Sequence, residues 1–434
     1  MWQPTLVDAG PVYLEIARSL EDDVRAGRLR PGDRLPTHRA LAAALGVNVG
    51  TVSRAYAEAH RRGLLRGEVG RGSFVRAPAE LPLQSARPSG AEPEPIDLSV
   101  NWPLREPAPD LAGALRALAA APDLDARAGY GDPAGSVRAR GAGADWLRHL
   151  GLEHTPDEVV VCAGSQHAIA VSLLCVAGPG EVVLAEALTY PGFLAAARML
   201  GLRVRAVEID AEGIVPESLE EACRTDRPRL LYCMPALHNP TTARLSARRR
   251  QAVADIAARH ALTIVQDDVQ AGVLDDPGPS LATLAPDRVL TIASLSKDLL
   301  PGLRIAFLAG AALDVQRARE AVWGSIWMAP PLGAELAIRW IEDGTATELL
   351  GRRRREMDAR HALARRVLGH RGYATRPGSY HVWLPLPPAW EAEALATAVA
   401  RHHVRVSPSA GFMARRGEPP RAVRISLSGP HDRA

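Results

Sequence analysis

Five short apolar runs recur through the middle of the chain: EVVVCAG (158–164), EVVLAEA (181–187), RLLYCMP (229–235), LTIVQDD (262–268) and RVLTIAS (288–294). They alternate with longer helical stretches such as SQHAIAVSLLCVA and SARRRQAVADIAARHA. Continuous apolar runs suit strands buried on both faces, and the helices between them supply the crossovers that parallel strands need. The pattern predicts an α/β domain around a mostly parallel central sheet. In such a sheet ligands lie beyond the carboxyl ends of the strands, so the residues after each run are the ones to inspect.

Those residues are small, polar and suited to one ligand. Gly164, Ser165 and Gln166 follow the first run and open a helix, where free backbone N–H groups and the helix dipole favour a phosphate. Tyr190 follows the second run and offers a flat face for stacking. Asn239 follows the third, Asp267 ends the fourth, Ser294, Ser296 and Lys297 come at the end of the fifth, and Arg304 lies seven residues beyond the lysine. Lys297 is also the only lysine among 52 basic residues. A guanidinium is never deprotonated in a protein, whereas a lysine amine can lose its proton and condense with a carbonyl. Taken singly the pieces are ordinary: G-S-Q commonly starts a helix, an Asp after a strand commonly caps, Tyr-Pro commonly turns. In this order they describe a pyridoxal 5′-phosphate site, with Lys297 for the aldehyde, Asp267 for the ring nitrogen, and Ser294 and Arg304 for the phosphate.

The net charge of +3 becomes informative only when divided along the chain. Residues 1–78 hold twelve arginines against eight acidic residues, an excess of four, so the remainder is one charge negative. A small basic unit joined to a near-neutral body suggests a polyanion partner for the first only. Between them, residues 77–95 carry prolines 78, 82, 88, 93 and 95 and no periodicity, as a semi-extended linker would. The expected domains are therefore 1–76, a linker over 77–95, and 96–434. Four cysteines without a C-x-x-C pair, and no leader-like or long apolar segment, point to a reduced cytoplasmic protein with no membrane span and no metal site.

In the basic unit, Val12, Ile16, Leu20 and Val24 recur four apart on one helix face. Thr37 caps a second helix, Gly46 makes a turn, and Asn48 opens a third helix whose buried face is Val52, Ala55, Tyr56 and Ala59. A two-stranded wing follows around glycines 67, 70 and 72. This winged helix-turn-helix directs its last helix to the major groove, with Asn48, Thr51 and Arg54 at the bases and Arg39 and Arg71 at phosphate or the minor groove. A protein-interaction domain with a solvated arginine face is the plainer alternative.

The stretch GRLRPGDRLPTHRALAAALGVNVGTVSRAY resembles the winged helix of GntR-type bacterial regulators, over residues 11–76. One departure is Val49, where that family usually carries arginine or a similar residue. The motifs AGSQH, TYPG, HNPT, QDDV and SLSKDLLPGLR resemble fold type I, aspartate aminotransferase-like enzymes over residues 96–434. That resemblance implies that Tyr190 stacks on the pyridine ring, Asn239 donates to the phenolate O3′, and Arg424 in VRISLS grips a substrate carboxylate. Together the two halves resemble the MocR subfamily, implying a homodimeric regulator that binds promoter operator DNA and uses its cofactor-binding body to sense cofactor or an amino compound. The second reading is a working aminotransferase with an appended DNA-binding head.

Three departures bear on the choice. Val269 and Gln270 stand where a tyrosine often bonds O3′, Thr242 replaces the glycine of N-P-T-G, and SGPHDRA stops where such chains continue into a helix. The missing tyrosine leaves Asn239 as the main O3′ donor and favours the sensor, with weak or half-reaction activity at most.

Overall fold

All five apolar runs are strands in the computed structural model of the chain, which describes residues 2–4, 11–26, 28–30, 32–61, 64–68, 72–75, 95–105, 108–311, 313–369, 371–415 and 417–430. Two units are present, 1–90 and 91–434. The proposed linker falls, apart from Pro95, outside the described residues.

In the first unit, helices α1 (Val12–Arg25), α2 (His38–Leu45) and α3 (Val49–Arg61) precede strands β1 (Leu65–Glu68) and β2 (Gly72–Val75), which pair antiparallel. Ile16, Leu20, Leu41 and the four expected residues of α3 are buried in one core. Val12 is the exception to the α1 stripe: it sits in the first turn and is 38% exposed, while its neighbour Tyr13 packs against the core. The Thr37 hydroxyl accepts from the Ala40 N–H at 3.2 Å and caps α2. Gly46, at φ 65, ends that helix in the left-handed conformation that glycine adopts without a steric penalty.

The body is built on a seven-stranded sheet of β3 (Val159–Cys162), β4 (Val182–Glu186), β5 (Arg203–Val207), β6 (Leu230–Cys233), β7 (Thr263–Asp267), β8 (Val289–Ser294) and β9 (Ala306–Ala309), ordered β3-β9-β8-β7-β6-β4-β5. Strand β9 runs antiparallel to both neighbours, and the other pairs are parallel. Successive residues feed opposite faces: Leu231 and Ile264 enter one apolar cluster, while Tyr232 and Val265 enter the other. Both faces are therefore covered, which is why the runs show no alternation.

At the carboxyl ends, β3 leads into α4 (Ser165–Val176), β4 is followed by α5 (Pro191–Met199), and β8 runs straight into the short helix α6 (Leu295–Asp298). A long helix, α7 (Thr345–Leu368), precedes an antiparallel C-terminal sheet of β10 (His381–Pro385), β11 (Ser407–Pro408) and β12 (Ala422–Ser426), with β12 in the middle. Among the described residues no helix is long and apolar enough to cross a membrane, and no group of three or more His, Cys, Asp or Glu is placed to hold a metal.

Candidate functional site

Lys297 stands on α6 immediately beyond β8, so its position is fixed by a buried strand. Its ammonium donates to the main-chain carbonyl of Asn101. Its own carbonyl accepts from the Arg353 guanidinium at 2.5 Å and from the Tyr380 hydroxyl at 3.1 Å. Burial, and secondarily the positive charge of Arg424, bring the Lys297 ammonium down to about 7. An amine so placed is partly neutral at physiological pH and can act as a nucleophile.

A group of anion-directed donors surrounds the ends of β3 and β8. The buried Ser294 hydroxyl accepts from the Ser296 N–H at 3.2 Å, and the Ser296 hydroxyl is itself buried without a hydrogen-bond partner. Exposed Arg304 donates to the Ala163 carbonyl at 3.2 Å, and its guanidinium lies where a Cβ on Gly164 would be. Gly164, at φ 85, is thus required both by its conformation and by the arginine. Ser165 starts α4 directly after it.

Asp267 ends β7, buried on the face that Tyr232 of the adjacent β6 also enters. The Tyr232 hydroxyl donates to its carboxylate at 2.5 Å. Burial raises the Asp267 carboxyl to about 6, and the Tyr232 hydrogen bond acts in the opposite direction. Tyr190 precedes α5, and the absence of a side chain on Gly192 admits its ring together with Gln166, whose amide donates to the Gly192 carbonyl at 2.8 Å. Burial raises the Tyr190 phenol, as does Asp267, while Arg424 and Arg304 lower it, so these charges converge on its ring.

Arg424, on the central strand of the C-terminal sheet, donates to the Asn239 side-chain oxygen at 2.7 Å and to the Ser99 carbonyl. Its guanidinium lies 4.9 Å from the Phe412 ring centroid, and its Nε has no partner. Accepting from Arg424 leaves the Asn239 amide hydrogens available as donors. Thr242 adopts φ 61, so the position where glycine was expected is indeed left-handed although it is occupied by a β-branched residue.

Tyr232, Asn101, Phe412, Arg353 and Tyr380 complete the site and were not among the residues read from the sequence. Tyr232 was hidden inside an apolar run, although its parallel register with Val265 places it on the Asp267 side. Gln270 is buried with its side-chain oxygen unpartnered. The residues fit a pyridoxal phosphate: an amine near neutrality, a buried carboxylate, an aromatic ring, an orphaned Ser296 hydroxyl, and Arg304 against Gly164 at the start of α4. A group with an aldehyde, a basic ring nitrogen and a phosphate would use each of them.

In the first unit, Arg39, Asn48 and Arg54 are exposed and Thr51 is half-buried. The Asn48 side chain accepts from the Gly50 N–H at 2.7 Å, and the Arg54 guanidinium lies 4.2 Å from the Tyr13 ring centroid. Val49 is 42% exposed at the start of α3, open to an apolar contact. Arg71 lies outside the described residues.

Residues 12–75 match the family of bacterial regulatory proteins, gntR family, and residues 93–434 match aminotransferase class I and II. Over its full length the chain is similar to an HTH-type transcriptional regulator of Bacillus subtilis, YdeF (31% identical over 434 residues, covering 99% of this chain and 93% of that one). It is also similar to the vitamin B6 salvage pathway transcriptional repressor PtsJ of Salmonella typhimurium (31%, covering 98% and 96%). Among solved structures it is similar to the α-aminoadipate aminotransferase LysN of Thermus thermophilus, complexed with N-(5′-phosphopyridoxyl)-L-leucine, with a TM-score of 0.70 and 28% identity over 77% of this chain and 87% of that one.

Proposed function

The chain belongs to the MocR-like transcriptional regulators that join a GntR head to an aminotransferase class I and II body, and from that premise we propose that its Lys297 site is a sensor for an amino compound. Pyridoxal 5′-phosphate is the cofactor of such a body, and when bound it supplies an aldehyde that captures amines and a ring that draws electrons from carbon. Lys297 provides the neutral amine at that aldehyde. Asp267 holds a proton on the ring nitrogen, with Tyr232 orienting the carboxylate. Tyr190 stacks, Asn239 donates to O3′, and Gly164, Ser165, Gln166, Ser294, Ser296 and Arg304 enclose the phosphate. Arg424 forks onto the effector's carboxylate. In the head, Asn48, Thr51 and Arg54 face bases and Arg39 takes phosphate or the minor groove, the role that the sequence also gives Arg71.

The observation that carries this reading is the presence, in one chain, of a complete lysine–aspartate–arginine site and a folded helix-turn-helix. We place the protein in the cytoplasm as a homodimer on promoter operator DNA. Exposed Tyr130, Trp323 and Trp327, with the Trp327 ring 5.3 Å from Tyr130 and 5.9 Å from Trp323, support a face for a second copy. A working aminotransferase is the second reading, favoured by the likeness to LysN.

Linkage separates the two. Promoter affinity of the cofactor-loaded protein should change when an effector amino acid is added, by about 5- to 150-fold for a coupling of about 1–3 kcal/mol. Lys297→Ala should still bind DNA and lose that change. Identical promoter affinity with and without cofactor and amino acids, accompanied by rapid amino transfer to a keto acid, would establish the enzyme instead.

A further inference from the structure

A cleft of about 770 Å³ opens between the sheet side of the body, at Leu188 and Thr242, and the C-terminal sheet side, at Arg376, Trp383, Met413 and Glu418. Neither Lys297, Asp267, Asn239 nor Arg424 lines it. Its volume is in the range of small-molecule sites. We propose that this cleft is a second binding site, for a zwitterionic amino acid with an apolar side chain, and that its occupancy adjusts the cofactor site.

The charges of the cleft define the ligand class. Glu208 is paired with Arg415 and Asp210 with Arg249, so neither is free to take a ligand. Arg376 donates through Nε to the Thr242 carbonyl at 3.1 Å and has no acidic partner among the described residues, which leaves its outer nitrogens for a carboxylate. Glu418 is exposed and has no basic partner among the described residues, which suits an ammonium. Trp383 and Met413 contribute apolar surface to the same lining, which suits a side chain. With Glu208 and Asp210 neutralised by their arginines, one guanidinium (Arg376) and one carboxylate (Glu418) remain, so a zwitterion matches both unpaired charges while a polyanion would meet Glu418 uncompensated.

Three wall residues adjoin the supports of Arg424. Thr242 is three residues after Asn239, which accepts from Arg424. Trp383 pairs with Arg424 across β10 and β12. Met413 follows Phe412, the ring beneath the Arg424 guanidinium. An occupant that recruits Arg376 and presses on Trp383 and Met413 therefore acts on the backbone turn, the strand neighbour and the ring that together set Arg424. The regulation, though not the site, rests on the reading that Arg424 receives the effector's carboxylate.

The test uses full-length protein loaded with pyridoxal phosphate and reduced with borohydride, which fixes the cofactor on Lys297 and blocks exchange there. Calorimetric titration with L-phenylalanine should give about one saturable site per chain, with phenylacetate and phenethylamine, which lack the ammonium and the carboxylate, binding about tenfold more weakly or worse. Arg376→Ala and Glu418→Gln should each weaken L-phenylalanine by about tenfold while keeping the wild-type visible spectrum before reduction. Absence of binding to the reduced protein, or equal binding by wild type and both variants, overturns the second site. The spectral response of the unreduced protein to amino acids reads the Lys297 site separately, so the two readings fail independently.

Discussion

A phenol that donates to a buried carboxylate stabilises the charged form, and at Asp267 this opposes the larger effect of burial. Removing the donor should raise the carboxyl further above 6, so Tyr232→Phe should leave Asp267 more protonated around neutral pH and less able to hold the ring-nitrogen proton of the cofactor. A hydrogen bond to a charged group contributes about 1.5–3 kcal/mol. Cofactor affinity near pH 7 should fall by at least about tenfold, and the pH at which affinity is half-maximal should move upward. Absorbance titrations from mildly acid to mildly alkaline pH would measure both, and an unmoved midpoint would remove Tyr232 from the site. Lys297 has the opposite sign. With its ammonium near 7, the neutral amine accumulates as pH rises through 7, so the rate of cofactor capture should climb through neutrality and level off above it, whereas an ordinary lysine would keep gaining past about 10.4. At this scale the sequence was most legible where a polar residue ended an apolar run, as at Asp267, Asn239 and Lys297. Tyr232 and Asn101 were not legible, because one is a polar tip on an apolar body inside a strand and the other acts through its backbone.

Helix α7 positions the lysine from outside the sheet. Its Arg353, only 1% exposed, donates to the carbonyls of Lys297, Leu299 and Leu104, and Tyr380 adds a second donor to Lys297. In sequence this arginine lies in the run GRRRRE, which reads as a solvated face, yet Arg352 and Arg355 are exposed while Arg353 turns inward. Composition cannot select that one because the selection depends on which face of α7 packs against α6. Arg353→Met should leave three carbonyls undersatisfied and cost about 3–5 kcal/mol, read as a lower denaturant midpoint of the body. Tyr380→Phe should cost about 1 kcal/mol. Similar losses for the two variants would mean that the guanidinium is not the main strap. Strand register was legible to the same limited depth: the five central runs are strands, but antiparallel β9 and edge strand β5, which alternates as RVRAV, needed the tertiary arrangement to be recognised.

Across the whole molecule, charge is partitioned by unit, with the excess of arginine in the first 78 residues and a nearly neutral remainder. Salt sensitivity and effector sensitivity should therefore be separable by mutation. Each phosphate neutralised by a cation contributes about −0.9 to the slope of log K against log salt. Arg39 is exposed near the start of α2 and serves no other role in the described structure. In full-length protein, Arg39→Ala should flatten that slope by about one unit for each head engaged on DNA. A homodimer that places both heads on its operator should therefore lose about two units, and a single head about one. The same variant should give a wild-type spectral titration with amino acids, since the Lys297 site is assembled from residues of the second unit alone. Lys297→Ala should do the reverse, keeping the full salt slope and losing the amino-acid response. A one-unit change would oppose the homodimer on DNA, and an unchanged slope would remove Arg39 from the phosphate contacts. If Lys297→Ala altered the slope, the cofactor site would be needed to set how many heads reach the DNA, which would make the body part of the DNA-binding geometry and not only its sensor.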